Sequence, residues 1–255
     1  MTASEPFDDR DGPRDECGVF GIYAPGHDVS RLAYFALYAL QHRGQESAGI
    51  AAADRDGYII TQRALGLVSQ VFKEHDLRAL GGELAIGHVR YSTTGSNEWE
   101  NSQPAHPSAG SNGNRRELAL AHNGNLINAV ELHAELREQG VGFSSTSDSE
   151  IIAALLATHP GPTIEDAIAD VLPRLQGAFS TVVMSKDRVF AFRDPAGVRP
   201  LVIGQLGERY CVASESCALD IIGAKLLRDV EPGEMVSIGE DGLTTREIVE
   251  GERQA

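Results

Sequence analysis

Short apolar runs separated by polar segments follow one another along most of the chain, and their spacing predicts interleaved strands and helices. Residues 17–24, Cys-Gly-Val-Phe-Gly-Ile-Tyr-Ala, predict a first strand. Segment 30–43 carries apolar residues at the spacing of an amphipathic helix. The Asp-Arg-Asp-Gly sequence at 54–57 lies between two apolar runs and predicts a hairpin, so the sheet is at least partly antiparallel.

The rest of the chain continues this alternation up to about residue 250. The further predicted elements are strands at 83–91 and 117–125, helices at 128–140, 147–159 and 163–175, and short strands at 178–185, 188–194, 199–204, 209–214 and within 234–250. Ser147 and Glu150 form a capping-box pattern, and Gly140 ends the first of these helices. We interpret 17–250 as one α+β domain, with a long polar segment at 93–114 that favours a functional loop.

Composition and charge narrow the classes of function. The 255 residues carry a formal net charge of −15, which excludes a surface built for nucleic acid or an anionic membrane. No segment has the length of a membrane span, and the first residues lack the pattern of a signal peptide. We therefore expect a cytoplasmic protein that acts on small polar substrates or on protein partners.

The first sixteen residues differ from everything that follows. They are acidic, contain two prolines and one aromatic residue, and predict a disordered tail, which would ordinarily be a frayed terminus. The tail stops at Cys17, one of three cysteines that form neither a disulfide framework nor a metal-binding spacing. Cys211 and Cys217 are interpreted as packing residues, and the sequence predicts no metal ligands.

Cys17 is the first candidate for chemistry. On position alone a cysteine here is most simply a small buried apolar residue. If residues 1–16 were removed, however, Cys17 would carry a thiol and an α-amine with a pKa of roughly 7.7 to 8.0. One residue would then supply both a nucleophile and a base, as in N-terminal-nucleophile enzymes.

Three more positions suit the binding or reaction of a small molecule. Strand alternation places Leu84, Ile86, His88 and Arg90 on one face, and the Arg90 guanidinium suits a carboxylate, although a structural ion pair is the simpler reading. Asn123 and the backbone N–H of Gly124 could converge on an oxyanion, or form only a turn. Asp148 could accept an ammonium group, or only favour the start of its helix.

Taken together and in order, the motifs resemble the glutamine amidotransferase domain of the amidophosphoribosyltransferase family. The motifs are Cys-Gly-Val-Phe-Gly-Ile-Tyr at 17–23, Leu-Gln-His-Arg-Gly-Gln-Glu at 40–46, Gly-His-Val-Arg-Tyr-Ser-Thr-Thr-Gly at 87–95, Leu-Ala-His-Asn-Gly-Asn-Leu at 120–126, Thr-Ser-Asp-Ser-Glu at 146–150, Asp-Pro-Ala-Gly-Val-Arg-Pro at 194–200 and Val-Ala-Ser-Glu-Ser-Cys at 212–217. The resemblance runs from Cys17 to about Glu234.

This resemblance implies a fold, a reaction and roles for named residues. The fold is the N-terminal-nucleophile αββα sandwich of two mostly antiparallel sheets between helices, and 1–16 is a propeptide. Cys17 is the nucleophile, and Asn123 and Gly124 form the oxyanion hole. Arg90 binds the α-carboxylate of glutamine and Asp148 its α-ammonium, while Arg43 supports the substrate site. Ammonia released from glutamine would convert phosphoribosyl pyrophosphate (PRPP) to 5-phosphoribosylamine, the first step of purine biosynthesis.

The family's complete enzyme also has a phosphoribosyltransferase domain, and nothing in these 255 residues resembles it. The resemblance therefore implies no cofactor in this chain. Mg²⁺, and in some members a 4Fe–4S cluster, belong with that second half, as does the homo-oligomer of the full-length enzyme. Three alternatives stay open: an amidotransferase domain of another pathway, a glutamine-binding module that retains its propeptide, and an amidase acting on a different amide.

Overall fold

A computed structural model describes residues 17–54, 56–91, 99–106 and 116–251. The predicted disordered tail at 1–16 lies outside these residues, as does most of the predicted functional loop. The strands are β1 (Gly18–Tyr23), β2 (Ser47–Ala53), β3 (Ile59–Leu65), β4 (Leu84–Arg90), β5 (Ala119–Leu126), β6 (Gly177–Met184), β7 (Val189–Arg193), β8 (Val202–Leu206), β9 (Arg209–Ala213), β10 (Lys225–Asp229), β11 (Glu234–Gly239) and β12 (Gly242–Glu247).

The α-helices are α1 (Val29–Ala39), α2 (Val68–Val71), α3 (Glu74–Ala79), α4 (Ala129–Glu138), α5 (Asp148–Thr158), α6 (Ile164–Val171) and α7 (Ser216–Ile221). Short 3₁₀ turns follow α1 at Leu40–Arg43 and α6 at Leu172–Arg174, and another lies at Trp99–Asn101. Within the described residues no helix is long and apolar enough to cross a membrane.

The strands form two sheets that pack face to face. The first has the order β10-β8-β9-β1-β4-β2-β3 and the second the order β12-β11-β7-β6-β5. Every strand pair of the described residues is antiparallel. The predicted pairing of the strands on either side of 54–57 is confirmed, with Ala53 opposite Ile59.

Three apolar clusters show how the layers stack. Strand β1 contributes to two of them through its alternate residues. Phe20 and Ile22 pack outward against α1, whereas Val19 and Tyr23 belong to the cluster between the sheets. Helices α4, α5 and α6 pack on the outer face of the second sheet, around Phe179. The predicted α+β sandwich with four αββα layers is therefore confirmed.

Several local predictions need correction. The capping box at α5 is only half formed, because Ser147 Oγ accepts the N–H of Glu150 at 3.4 Å while the Glu150 carboxylate binds the N–H groups of Ser144 and Ser145. The predicted strand at 199–204 begins only at Val202, since Pro200 has no N–H for the ladder.

Four short elements, α2, α3, α7 and β10, were absent from the sequence prediction. They have four to six residues each, too few to show a clear hydrophobic period. Strand β10 also lacks alternation, because Leu226 and Leu227 are both exposed at the edge of the first sheet.

Candidate active site

Cys17 lies directly before β1, at one end of the sandwich. Its φ of 58° falls in the left-handed region that non-glycine residues avoid. The thiol is partly buried, and its Sγ donates to the carbonyl oxygen of Tyr91 at 3.6 Å. Gly18 pairs with Val89 in an antiparallel register. Continuing this register by one residue places Cys17 opposite Arg90.

The chain around Cys17 is held by Arg43 and Ser214. Arg43 ends the 3₁₀ turn after α1, is 1% exposed, and donates from Nε to the carbonyl oxygen of Cys17 at 2.7 Å. Its Nη1 binds Glu215. Ser214 exchanges two hydrogen bonds with Val19, from the Val19 N–H to Ser214 Oγ and from the Ser214 N–H to the Val19 carbonyl, both at 2.9 Å.

Glu215 is a partner that the sequence interpretation missed. Partial burial raises the pKa of its carboxyl, but the hydrogen bond and charge of Arg43, with a smaller contribution from His42, hold that pKa below its ordinary value. Glu215 is therefore an anion at neutral pH that balances a buried guanidinium next to Cys17. Its only signal in the sequence is its place in the Val-Ala-Ser-Glu-Ser motif.

Arg90 ends β4 on the face that the alternation predicted. Leu84 and Ile86 of that face belong to the cluster between the sheets, and His88 is fully buried. Among the described residues the Nη1 atom of Arg90 is buried without a hydrogen-bond partner. A buried donor without an acceptor is costly, which favours an anionic ligand such as a carboxylate at this position.

Asn123 and Gly124 lie on β5, on the facing sheet. Ala119 and Ala121 of this strand belong to the cluster between the sheets, and Asn123 continues their face. Asn123 is fully buried, yet neither Oδ1 nor Nδ2 has a partner in the described part of the chain. A buried amide N–H without an acceptor is suited to donate a hydrogen bond to an oxyanion that forms during a reaction.

Gly124 occupies a position that no other residue fits. Its φ is 140°, and a Cβ atom there would lie 2.1 Å from the carbonyl oxygen of Ala178. The close approach of β5 and β6 therefore requires glycine, and the backbone N–H of Gly124 stays unobstructed by a side chain.

Asp148 is the first residue of α5, and it also binds the end of β5. Its Oδ2 accepts the N–H of Leu126 at 2.7 Å. Burial raises the pKa of the Asp148 carboxyl, and this hydrogen bond opposes the rise. Asp148 therefore orders local structure and places a half-buried carboxylate at the strand end that follows Asn123. Its predicted role in binding an ammonium group stays a prediction.

Two buried histidines join the sheets beside these residues. His88 Nε2 lies 3.1 Å from the carbonyl oxygen of His122, which directly precedes Asn123. Burial lowers the pKa of both imidazoles to about 3, so both are neutral at physiological pH. This contact fixes the distance between β4 and β5 two residues before Arg90 and one before Asn123.

The structure thus brings all six predicted site residues to the same end of the sandwich, with Arg43 in contact with Cys17 itself. Their individual roles in catalysis and substrate binding stay predictions. Sequence reasoning did not find Glu215, Ser214 or the bridging role of His88, because each acts through a partner that is distant in sequence.

Cys211 is poorly suited to bind a metal, because it is buried and burial raises the pKa of its thiol to about 12. No disulfide joins the three cysteines, all of which lie in the described ranges.

The fold and this arrangement define a class. Two antiparallel sheets stacked between helices, with a cysteine directly before the first strand, are the architecture of the N-terminal-nucleophile fold. Comparison with known proteins narrows this class to one family.

The chain belongs to the glutamine amidotransferase domain family, whose model matches residues 88–220. It is 49% identical over 251 residues to amidophosphoribosyltransferase of Mycobacterium tuberculosis (strain ATCC 25618 / H37Rv), covering 95% of this chain and 46% of that protein. It is 44% identical over 233 residues to the enzyme of the same name from Bacillus subtilis (strain 168), covering 91% and 48%.

A solved structure agrees with these sequence matches. Glutamine PRPP amidotransferase from B. subtilis, complexed with ADP and GMP, superposes with a TM-score of 0.83 at 42% identity, covering 91% of this chain and 49% of that one. The chain thus spans about half the length of the curated relatives it matches.

Proposed function

We propose that this domain hydrolyses glutamine through Cys17 and supplies ammonia for the synthesis of 5-phosphoribosylamine from PRPP. One observation carries the proposal: four groups lie at one end of the sandwich. They are a thiol, the Asp148 carboxylate, a buried Arg90 donor and a buried Asn123 amide, the last two without hydrogen-bond partners among the described residues. These groups match the amide, carboxylate and ammonium of glutamine.

Two opposite charges position the substrate. The guanidinium of Arg90 binds the α-carboxylate of glutamine, and its buried Nη1 gains the acceptor it lacks. Only Oδ2 of Asp148 takes the hydrogen bond from Leu126, so Oδ1 serves the α-ammonium group. Holding both groups of the α-carbon orients the side-chain amide toward Cys17.

The reaction proceeds by nucleophilic catalysis. The sulfur of Cys17 attacks the side-chain carbonyl carbon, its proton passes to the α-amine, and Asn123 Nδ2 and the Gly124 N–H stabilise the oxyanion. The C–N bond breaks as the α-amine returns the proton to the leaving group, which departs as ammonia. Water then hydrolyses the γ-glutamyl thioester, so that glutamine and water give glutamate and ammonia.

This chemistry requires an α-amine at Cys17, and hence removal of residues 1–16 as a propeptide. The backbone supports a cut at this junction. A left-handed φ at a non-glycine residue costs about 1 to 2 kcal/mol, and cleavage of the peptide bond before Cys17 releases that constraint. The bond from Arg43 to the Cys17 carbonyl would hold the residue in place after the cut.

The named relatives support the assignment to purine biosynthesis over the other pathways that use such domains. The PRPP site, its Mg²⁺, any 4Fe–4S cluster and the homo-oligomer would belong to a phosphoribosyltransferase half, in the part of those relatives that this chain does not cover. A cytoplasmic location agrees with cysteines that form no disulfide.

The nucleophile is tested by comparing two cysteines. Cys17→Ala should abolish glutamine hydrolysis, lowering kcat/KM by at least about 10³-fold, as well as labelling by a glutamine-like electrophile. Cys217→Ser, which removes another partly buried thiol, should keep both. Hydrolysis by Cys17→Ala at the wild-type rate would exclude Cys17 as the nucleophile.

A further inference from the structure

A cluster of three side chains lies next to Arg43, the residue that binds the Cys17 carbonyl. It consists of His42, Glu215 and Cys217. His42 is in the 3₁₀ turn after α1, while Glu215 caps α7 and Cys217 lies in its first turn. We call these three residues the His-Glu-Cys cluster. It is open to solvent, since the side chains of His42 and Glu215 are 54% and 30% exposed.

Three different ligand atoms of the His-Glu-Cys cluster converge. His42 Nε2, one Glu215 oxygen and Cys217 Sγ all lie within 4.8 Å of one another. Glu215 Oε2 lies 3.1 Å from His42 Nε2 and 3.6 Å from Cys217 Sγ. The described contact of Glu215 with Arg43 uses the other carboxylate oxygen, Oε1.

These separations match the edges of a tetrahedral zinc site. With Zn–N, Zn–O and Zn–S bonds of about 2.0, 2.1 and 2.3 Å, tetrahedral angles place N and O about 3.4 Å apart and O and S about 3.6 Å apart. The structure has 3.1 and 3.6 Å for the same pairs. The third pair, the His42 nitrogen and Cys217 Sγ, lies within 4.8 Å, compared with about 3.5 Å in such a site. Side-chain rotations that bring these two atoms to that separation would complete the coordination.

We propose that His42, Glu215 and Cys217 form a binding site for Zn²⁺ or another divalent cation that accepts nitrogen, oxygen and sulfur ligands. Three protein ligands leave the fourth position to water, which the exposure of His42 permits. On binding, a metal–sulfur bond replaces the S–H bond of Cys217, and the proton passes to solvent. No change of oxidation state is involved.

The Glu215 carboxylate links this site to Cys17. Oε2 would bind the cation while Oε1 holds Arg43, whose Nε binds the Cys17 carbonyl. Such a site could not be predicted from the sequence, because Glu215 lies 173 residues from His42 and the three residues form no recognised motif. Only the packing of α7 beside the end of α1 brings them together.

The test is a titration of the full chain with Zn²⁺ alone. Cys17→Ala is used as the parent protein so that the candidate catalytic thiol binds no metal. The parent should bind one equivalent, measured by competition with a chromogenic chelator. Adding Cys217→Ser or His42→Ala should weaken the affinity at least about tenfold.

A matched control and a spectrum separate this site from adventitious binding. His75 is another exposed histidine beside a carboxylate, with Nε2 3.4 Å from Asp76 Oδ1, and His75→Ala should leave the affinity unchanged. Co²⁺ bound to the parent should show a thiolate-to-metal charge-transfer band that Cys217→Ser removes.

Either of two results would overturn the proposal: unchanged Zn²⁺ affinity in both Cys217→Ser and His42→Ala, or bound Co²⁺ without the thiolate band. Circular dichroism establishes the folding of each variant. Should Cys217→Ser fail to fold, His42→Ala and the cobalt spectrum of the parent still decide the question.

Discussion

Arg43 illustrates how single residues prepare this site. Its guanidinium is buried, yet its described contacts are with the Cys17 carbonyl and Glu215. The resemblance implied a role in the substrate site, which stays a prediction, and these contacts show that Arg43 also positions Cys17. The Leu-Gln-His-Arg-Gly-Gln-Glu motif predicted that Arg43 belongs to the site. Only the structure shows that it binds the Cys17 carbonyl oxygen and the Glu215 carboxylate.

A substitution at Asp148 can distinguish the effect of its charge from the effect of its hydrogen bond to Leu126. Asp148→Asn keeps an oxygen that accepts the Leu126 N–H but removes the charge that would bind an ammonium group. A lost charged hydrogen bond is worth about 1.5 to 3 kcal/mol, so the KM for glutamine should rise about 10- to 150-fold. Steady-state kinetics of glutamate release measures the effect.

Asp166 offers the control for this change. It is also an acid in the first turn of a helix, where it caps α6, but it lies at an exposed position. Asp166→Asn should leave the KM within about twofold, since it alters only a helix cap. Equal KM values in the two variants would assign Asp148 a purely structural role.

At the scale of elements, strand ends carry most of the site. Periodicity predicted β1, β4 and β5, the helix that became α5 and the face of Arg90, because each contains a clear repeat. It could not predict how β4 meets β5 or how α7 meets α1, since those contacts depend on packing between layers. For this reason the roles of Glu215 and Ser214, and the contact of His88 with the facing sheet, were found only in the structure.

Strand β5 depends on Gly124, and this dependence can be measured. Gly124→Ala combines a disfavoured φ of 140° with a Cβ only 2.1 Å from the Ala178 carbonyl oxygen. The strain and the overlap should together lower the free energy of unfolding by about 3 kcal/mol or more and remove activity. Chemical denaturation and the glutaminase assay test both effects.

Gly140 provides a comparison at the same kind of position. Its φ is 82°, but no atom lies within 4 Å of a Cβ built there. Gly140→Ala should therefore cost only about 1 kcal/mol and keep activity. Similar losses of stability in the two variants would show that the overlap with Ala178 has no effect.

For the whole molecule, the two sheets meet at histidines that must stay neutral. Burial lowers the pKa of His88 and His122 from 6.5 to about 3. Below about pH 6.5 the unfolded chain therefore binds protons that the folded chain does not. The contribution of these neutral histidines to the free energy of unfolding is fully present above about pH 6.5, and it is lost as the pH drops toward 3.

Each neutral histidine should add about 1.4 kcal/mol per pH unit to this slope once the unfolded imidazole is protonated. Denaturation between about pH 5 and 6.5 should show a steep slope, to which His106 also contributes because burial lowers its pKa. His88→Gln should reduce this slope by up to about 1.4 kcal/mol per pH unit. His75→Gln, which changes an exposed imidazole, should leave the slope unaltered. A slope equal to the wild type in His88→Gln would refute this source of acid sensitivity.

The central claim is that Cys17 acts as an N-terminal residue, and the mass of the active protein tests it most directly. Protein showing glutaminase activity should have lost its first sixteen residues and begin at Cys17, and a glutamine-like electrophile should add one equivalent to that terminal residue. Full activity in protein whose intact mass still includes residues 1–16 would contradict the account.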